Sequence, residues 1–253
     1  MTIATLRPAA TVVVIRARDG ADGFDVLMVR RNDKVAFMAG AFVFPGGRLD
    51  DADAASANDA PADRWPRRFE DLSPAEEQVY RAAAARELFE EAQVRIDPRD
   101  LVPLAHWVTP EIEIRRFDTR FFLIVMPPGQ QARHDEGETT ALEWLGPVDA
   151  LEAAERGAIM LPPPTWTTLK RLMRHRSIDE ALAAARTARI VRIQPMLIKT
   201  EAHTMLTLPG DPTYPTIEGW EIPEDTRFRL EDGRWRPIRD QGSGIGDRQG
   251  SET

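Results

Sequence analysis

The 253-residue chain contains no cysteine, two tyrosines and four histidines. Without cysteine there is no disulfide framework, no thiolate nucleophile and no Cys-ligated zinc or iron–sulfur centre. His106, His134, His175 and His203 show no ligand spacing and read as structural or surface residues. Basic residues are in the minority, 33 Lys and Arg against 41 Asp and Glu, the wrong balance for gripping a nucleic-acid backbone. A phosphorylated ligand therefore needs a local device to offset repulsion. Long apolar runs are missing as well: Ala9 to Ile15 and Phe121 to Met126 fall far short of the ~20 residues that a membrane span needs. The early apolar run passes straight into Arg16, as a strand does and a secretory signal does not. These absences predict a cytoplasmic protein with no nucleic-acid or membrane partner. They leave the oligomeric state open, a homodimer included.

What is present reads as an α/β chain. Thr11 to Ile15, Asp25 to Val29 and Ala41 to Phe44 are short β-branched or aromatic runs bounded by turn residues, as strands are. The stretch from Leu49 to Leu72 is polar and Asp/Ala-rich and reads as an insertion loop, about 51–73. Ser73-Pro74-Ala75-Glu76 combines an N-cap, a proline preset for the first helical turn and a capping-box glutamate. It predicts a helix from Pro74 to about Ala92, with Tyr80, Ala84, Leu88 and Ala92 forming an apolar stripe. Strands are expected at Leu101 to Val108, Arg120 to Met126 and Ala141 to Leu145, and helices at Pro147 to Arg156 and Thr165 to Arg176. Another helix is expected from a second capping box at Ser177 to about Arg189. Beyond residue 190 the chain becomes proline-rich, with a hairpin around Asp232-Gly233. The expected division is a main domain over 1–190, an extension over 191–240 packing on it, and a disordered tail over 241–253.

Two segments carry chemistry: Phe44 to Asp50, FPGGRLD, and Ala85 to Val94, ARELFEEAQV. Glu87, Glu90 and Glu91 stand at i, i+3 and i+4, which places them on one helical face within about 5–6 Å of each other. At an effective dielectric near 20, each unpaired pair of carboxylates costs on the order of 3 kcal/mol, so a cation is expected among them. Arg86 or Arg95 could supply it on a solvated face. A hard divalent ion is the other reading, since all-oxygen ligation suits Mg²⁺ or Mn²⁺. Pro45-Gly46-Gly47 favours the second, because glycines after a strand let backbone groups approach an ion or phosphate closely.

Gly47, with Arg86-Glu87-Leu88-Phe89-Glu90-Glu91, resembles the two ends of the Nudix box, G-x5-E-x7-R-E-U-x-E-E-x-G-U, where U is aliphatic. Three positions depart from it. Asp53 stands in place of the first glutamate, about 25 extra residues separate it from Arg86, and Gln93 replaces the glycine after the helix. A glutamine in the left-handed conformation there costs roughly 1 kcal/mol. The resemblance implies an α/β/α sandwich with a mixed sheet, and hydrolysis of nucleoside diphosphates linked to another moiety. It further implies Mg²⁺ or Mn²⁺ on Glu87, Glu90 and Glu91, with the Gly47 carbonyl as an addition. The VLMVRR, WVTP and RRFDTRFF segments are similar to the branch of acyl-CoA diphosphatases, which split CoA esters into 3′,5′-ADP and acyl-phosphopantetheine. ADP-ribose or NADH-type substrates, and nucleotide binding without turnover, are the alternatives.

Arg86 reaches Glu90 at i+4, either to position it or as a plain surface pair. Glu136 and Glu138 lie where related enzymes bring in a further carboxylate. Arg30, Arg31, Arg48, Arg115, Arg116 and Arg120 are candidates for gripping the phosphates of a CoA-like small-molecule substrate. Trp107, Phe117 and Trp144 read as core packing first and as stacking surfaces for a base second.

Overall fold

The computed structural model describes residues 3–20, 22–32, 39–57, 69–134, 139–200 and 203–239. The expected tail 241–253 and residues 58–68 of the expected insertion lie outside the described residues.

In chain order the elements are β1 (Leu6–Ala17), β2 (Phe24–Arg31), β3 (Phe42–Val43), β4 (Gly46–Arg48), α1 (Asp51–Ala57), α2 (Pro74–Ala92), β5 (Val102–Val108), β6 (Arg116–Val125) and β7 (Thr139–Leu145). They continue with α3 (Pro147–Glu155), α4 (Pro163–Leu172), α5 (Ile178–Thr187), β8 (Arg192–Ile193), β9 (Met196–Lys199), β10 (Thr204–Thr207), β11 (Arg227–Glu231) and β12 (Arg234–Pro237). The first sheet runs β3-β2-β1-β6-β5-β8, with β4 on β1 and β7 on β2. It is mixed: β1 lies parallel to β6 and antiparallel to β2. A second sheet runs β12-β11-β10-β9.

The two-residue period of β1 assigns its side chains to opposite layers. Ala10, Val12 and Val14 face α2, where they bury Tyr80, Ala84 and Leu88 together with Leu27 and Phe122. Val13 and Ile15 face the other way, into a core shared with Trp166, Leu169 and Leu172 of α4 and Ala181 and Ala185 of α5. Leu206 and Phe228 of the second sheet join that same core. A fully buried Leu or Phe in such a layer contributes about 1.5–3 kcal/mol, so both layers are well supplied with driving force. The result is an α/β sandwich around the mixed sheet.

Several sequence expectations change in detail. The stretch expected to be a loop contains α1, whose Asp53 and Ala57 are buried, and Phe69 and Leu72 belong to the core beneath α2. β1 starts five residues earlier than its β-branched run, because Leu6 to Ala10 pair with Arg116 to Arg120 of β6. The second capping box is only half formed: Ser177 accepts from the Glu180 N–H, while Glu180 accepts from the N–H of Arg176 instead of Ser177. Beyond residue 190 the chain first adds β8 to the main sheet beside β5. It then makes the second sheet, including the expected hairpin of β11 and β12.

Candidate active site

The site is assembled where α2 ends. At its start, Ser73 and Glu76 form the expected capping box, with N–H to side-chain bonds of 2.7 and 3.2 Å. At its end, Gln93 takes φ 57° and ψ 25°, and its N–H donates to the Phe89 carbonyl at 2.9 Å. The last two turns of the helix carry Arg86, Glu87, Glu90 and Glu91.

Gly46 and Gly47 bring a distant stretch of chain onto these carboxylates. They lie on β4, paired with Thr11 and Ala10 of β1, and the turn ahead of them is pinned by the Val12 N–H donating to the Pro45 carbonyl at 2.8 Å. The Gly46 N–H donates to Glu91 Oε2 at 2.9 Å. A Cβ on Gly47 would stand 2.4 Å from Glu87 Oε1 and 2.5 Å from its carboxyl carbon. Only a residue without a side chain lets that carboxylate lie against the strand.

Arg86 occupies the centre. Its Nε donates to Asp53 Oδ1 at 2.9 Å and its Nη2 to Asp53 Oδ2 at 3.0 Å, a bidentate grip. Nη2 also reaches the Arg48 carbonyl, and Nη1 donates to both Glu87 Oε1 and Glu90 Oε2, all at 2.9 Å. Asp53 is itself fixed by the Asp50 N–H at 2.7 Å and its side chain is 3% exposed. The hydrogen bonds it donates to Asp53 above all, with the one to Glu87 adding to them against the cost of burial, hold the guanidinium firmly in its charged form. Asp53 thus anchors an arginine, and its shorter side chain suffices because α1 carries it directly under Arg86. Among the described residues no three Asp, Glu or His side chains already converge as a metal-binding group; Nη1 of Arg86 stands between Glu87 and Glu90.

These groups open into a cleft of about 1350 Å³, larger than the roughly 300–1,000 Å³ of most small-molecule sites. Glu87, Glu90, Glu91, Arg86, Gly47, Arg31, Arg48 and Arg115 all line it. Arg30 does not, because neighbouring residues on a strand point to opposite faces; its Nη1 donates to Thr140 Oγ1 at 3.1 Å. Arg116 is also displaced from the expected role. It is buried beside Arg115 and donates to the carbonyls of Thr109 and Ala4, both at 3.2 Å. Arg120 is buried too, bound to Asp118 and Asp71 at 2.6 Å each. Glu136 and Glu138 lie outside the described residues. Trp107 and Phe117 border the cleft, whereas Trp144 is covered by Arg16, 4.2 Å above its ring.

Sequence reasoning missed Arg7 on β1, and Leu206 and Trp235 from the second sheet, all of which border the cleft. Arg7 carried no local signal. The other two come from a part of the chain whose position on the main sheet no short-range pattern reveals.

Comparison with known proteins agrees with this architecture. A family model for the NUDIX domain matches residues 5–162. Acyl-coenzyme A diphosphatase NUDT19 of Xenopus laevis is 24% identical over 273 residues, covering 76% of this chain and 72% of its own. Its Homo sapiens counterpart is 28% identical over 277 residues, with 77% and 73% covered. Among solved structures, a NUDIX hydrolase from Alicyclobacillus acidocaldarius is similar at a TM-score of 0.63 and 26% identity, covering 75% of this chain and 100% of that one.

Proposed function

We propose, since this chain belongs to the NUDIX family, that it is a divalent-metal-dependent diphosphatase whose substrate is CoA or an acyl-CoA, released as 3′,5′-ADP and (acyl-)phosphopantetheine. The observation that carries this reading is the meeting of carboxylates and arginines in one cleft: Glu87, Glu90 and Glu91 at the end of α2, with Arg7, Arg31, Arg48 and Arg115 around them. Similarity to acyl-coenzyme A diphosphatases supports the choice of substrate.

The donor set fits a hard cation. Three carboxylates project from one end of α2, the strand across from them has no side chain at Gly47 to push Glu87 away, and Nη1 of Arg86 donates to both Glu87 and Glu90. Arg86 keeps Asp53 and the Arg48 carbonyl as partners through Nε and Nη2, so giving up Nη1's contacts does not strand its charge. Glu87, Glu90 and Glu91, with the Gly47 carbonyl, are the groups that would hold Mg²⁺ or Mn²⁺. Bound there, the cation supplies charge neutralisation of the diphosphate and acidification of a water. The chain's own contribution is positioning and electrostatics. Arg86, clamped by Asp53, keeps its positive charge beside Glu87 and Glu90, and one of the three carboxylates accepts the proton of the attacking water. Arg31, Arg48 and Arg115 offset the phosphate charge that an acidic protein would otherwise repel.

Incubating the protein with CoA, acyl-CoA, ADP-ribose and NADH, with Mg²⁺ and with Mn²⁺, and identifying the products tests the proposal. Formation of 3′,5′-ADP from CoA species, abolished by chelator, is expected. Preferential cleavage of ADP-ribose or NADH would replace the substrate, and binding without turnover would replace the activity.

A further inference from the structure

Beside its charged lining the cleft has an apolar one, which the diphosphate chemistry does not use. Phe44 after β3 and Trp107 and Phe121 of the main sheet contribute to it, with Pro163 at the start of α4 and Leu206 and Trp235 from β10 and β12 of the second sheet. The first three are 3%, 4% and 6% exposed and Leu206 is 6% exposed, so this wall is already packed from behind. Phe44 and Phe121 meet edge to face with ring centroids 6.3 Å apart. Trp107 is braced likewise by Trp220 at 6.4 Å. Trp235 is half-exposed and packs against the same core.

The register of β1 explains why charge and apolar surface share one cleft. Thr11 is flanked by Gly46 of β4 on one side and by Phe121 of β6 on the other. The glycine strand that lies against the carboxylates is thus only one strand away from the aromatic wall. A substrate held by its diphosphate over Gly46 and Gly47 has an apolar surface within the same enclosure.

From this we infer that the second sheet builds a subsite for the aliphatic chain of an acyl-thioester substrate, with Leu206 and Trp235 setting the preference for acylated over free CoA. The inference rests on the reading of the site as a CoA-type diphosphatase and adds the part of the molecule that selects the acyl group. The chemistry of the wall favours a hydrocarbon chain over a nucleotide base. Its surface is built from Phe, Trp, Pro and Leu, whereas a base would call for hydrogen-bonding partners along its edge. Each methylene removed from water strengthens binding roughly fourfold, so a few methylenes in contact with Leu206 and Trp235 produce a measurable preference.

The test compares kcat/KM for free CoA and for acetyl-, octanoyl- and dodecanoyl-CoA, in the wild type, Trp235→Ala and Leu206→Ala, with Trp144→Ala as a control outside the cleft. Affinities for the same ligands are measured by titration calorimetry in chelator, where no turnover occurs. The expected result is a preference that grows with chain length in the wild type and falls about tenfold for dodecanoyl-CoA relative to CoA in Trp235→Ala. Trp144→Ala is expected to keep the wild-type ratio. Leu206→Ala gives a second reading if Trp235→Ala lowers folding yield. An unchanged acyl-to-free ratio in both cleft variants overturns the inference, and equal loss for CoA and acyl-CoA places the nucleotide on this wall instead. If no CoA species is cleaved but chain-length-dependent binding is present and lost in Trp235→Ala, the subsite stands and the proposed reaction falls.

Discussion

The two halves of α2 carry the same kind of ion pair and put it to opposite uses. In the first half, Glu77 and Arg81 are both completely buried, with Arg81 Nη2 donating to Glu77 Oε1 at 2.7 Å and Nη1 to the Leu101 carbonyl at 2.5 Å. In the second half, Arg86 and Glu90 have the same helical relation in reverse order, but their side chains are 27% and 53% exposed and face the cleft. Sequence spacing treats the pairs alike, since each joins residues four apart on a helix. Burial separates them. The first ties α2 to the turn before β5 and is sealed from any substrate. The second places the Glu90 carboxylate at the cleft, half exposed beside the Arg86 guanidinium.

The strongest way to break this comparison is at the open end. Glu90→Gln is expected to lower kcat on the order of 10³-fold, about 4 kcal/mol in transition-state terms, with the melting temperature close to wild type. Steady-state kinetics beside a thermal melt checks this, and near-normal turnover by folded protein would remove Glu90 from the chemistry. At the closed end the effect should fall on stability. Arg81→Met removes the guanidinium bonded to a fully buried carboxylate and is expected to cost about 3 kcal/mol in denaturant unfolding, while the double variant Glu77→Leu/Arg81→Met recovers part of that loss. If Arg81→Met instead impairs turnover without destabilising, the two halves are not divided as described.

Gly47→Ala sharpens the contrast, because its Cβ would fall on the Glu87 carboxylate. We expect kcat/KM to fall about 10²-fold, around 2.7 kcal/mol, with a smaller change in stability.

The sheet beneath the first half of α2, where Arg120 lies under Tyr80, also has a pH signature. Burial works against the charge of Asp118, but the hydrogen bond from His106 at 2.9 Å and the charge of Arg120 outweigh it and hold the carboxyl below its ordinary value. A depressed folded-state pKa stabilises above the unfolded value and is lost as pH falls through the folded one. The melting temperature is therefore expected to drop as pH falls below about 4, and less steeply in Asp118→Asn. Equal slopes would remove this contribution. The smallest expected effect is at the helix terminus, where Gln93→Gly relieves a left-handed glutamine and raises stability by up to ~1 kcal/mol.

Much of the candidate site's geometry was legible because it is local. Arg86, Glu87, Glu90 and Glu91 lie on the last two turns of one helix whose start is marked by its capping box, and the glycine pair announces a close backbone approach. What was not legible depends on burial and on long-range pairing. Arg116 and Arg120 have the same side chain as Arg115, yet strand alternation and neighbouring carbonyls or aspartates draw both of them inward. α1 escaped notice because seven residues of Asp, Ala and Ser carry no apolar period; it is held by Asp53 gripping Arg86, a contact 33 residues distant in sequence.

The central claim is that the carboxylates ending α2 hold divalent ions beside Gly47. Titrating Mn²⁺ into the wild type and into the Glu87→Gln/Glu90→Gln variant, with free ion followed by electron paramagnetic resonance, tests it without reference to any substrate. The account predicts saturable binding in the wild type that weakens at least tenfold in the folded double variant. Equal binding by both proteins, or none by either, would contradict it.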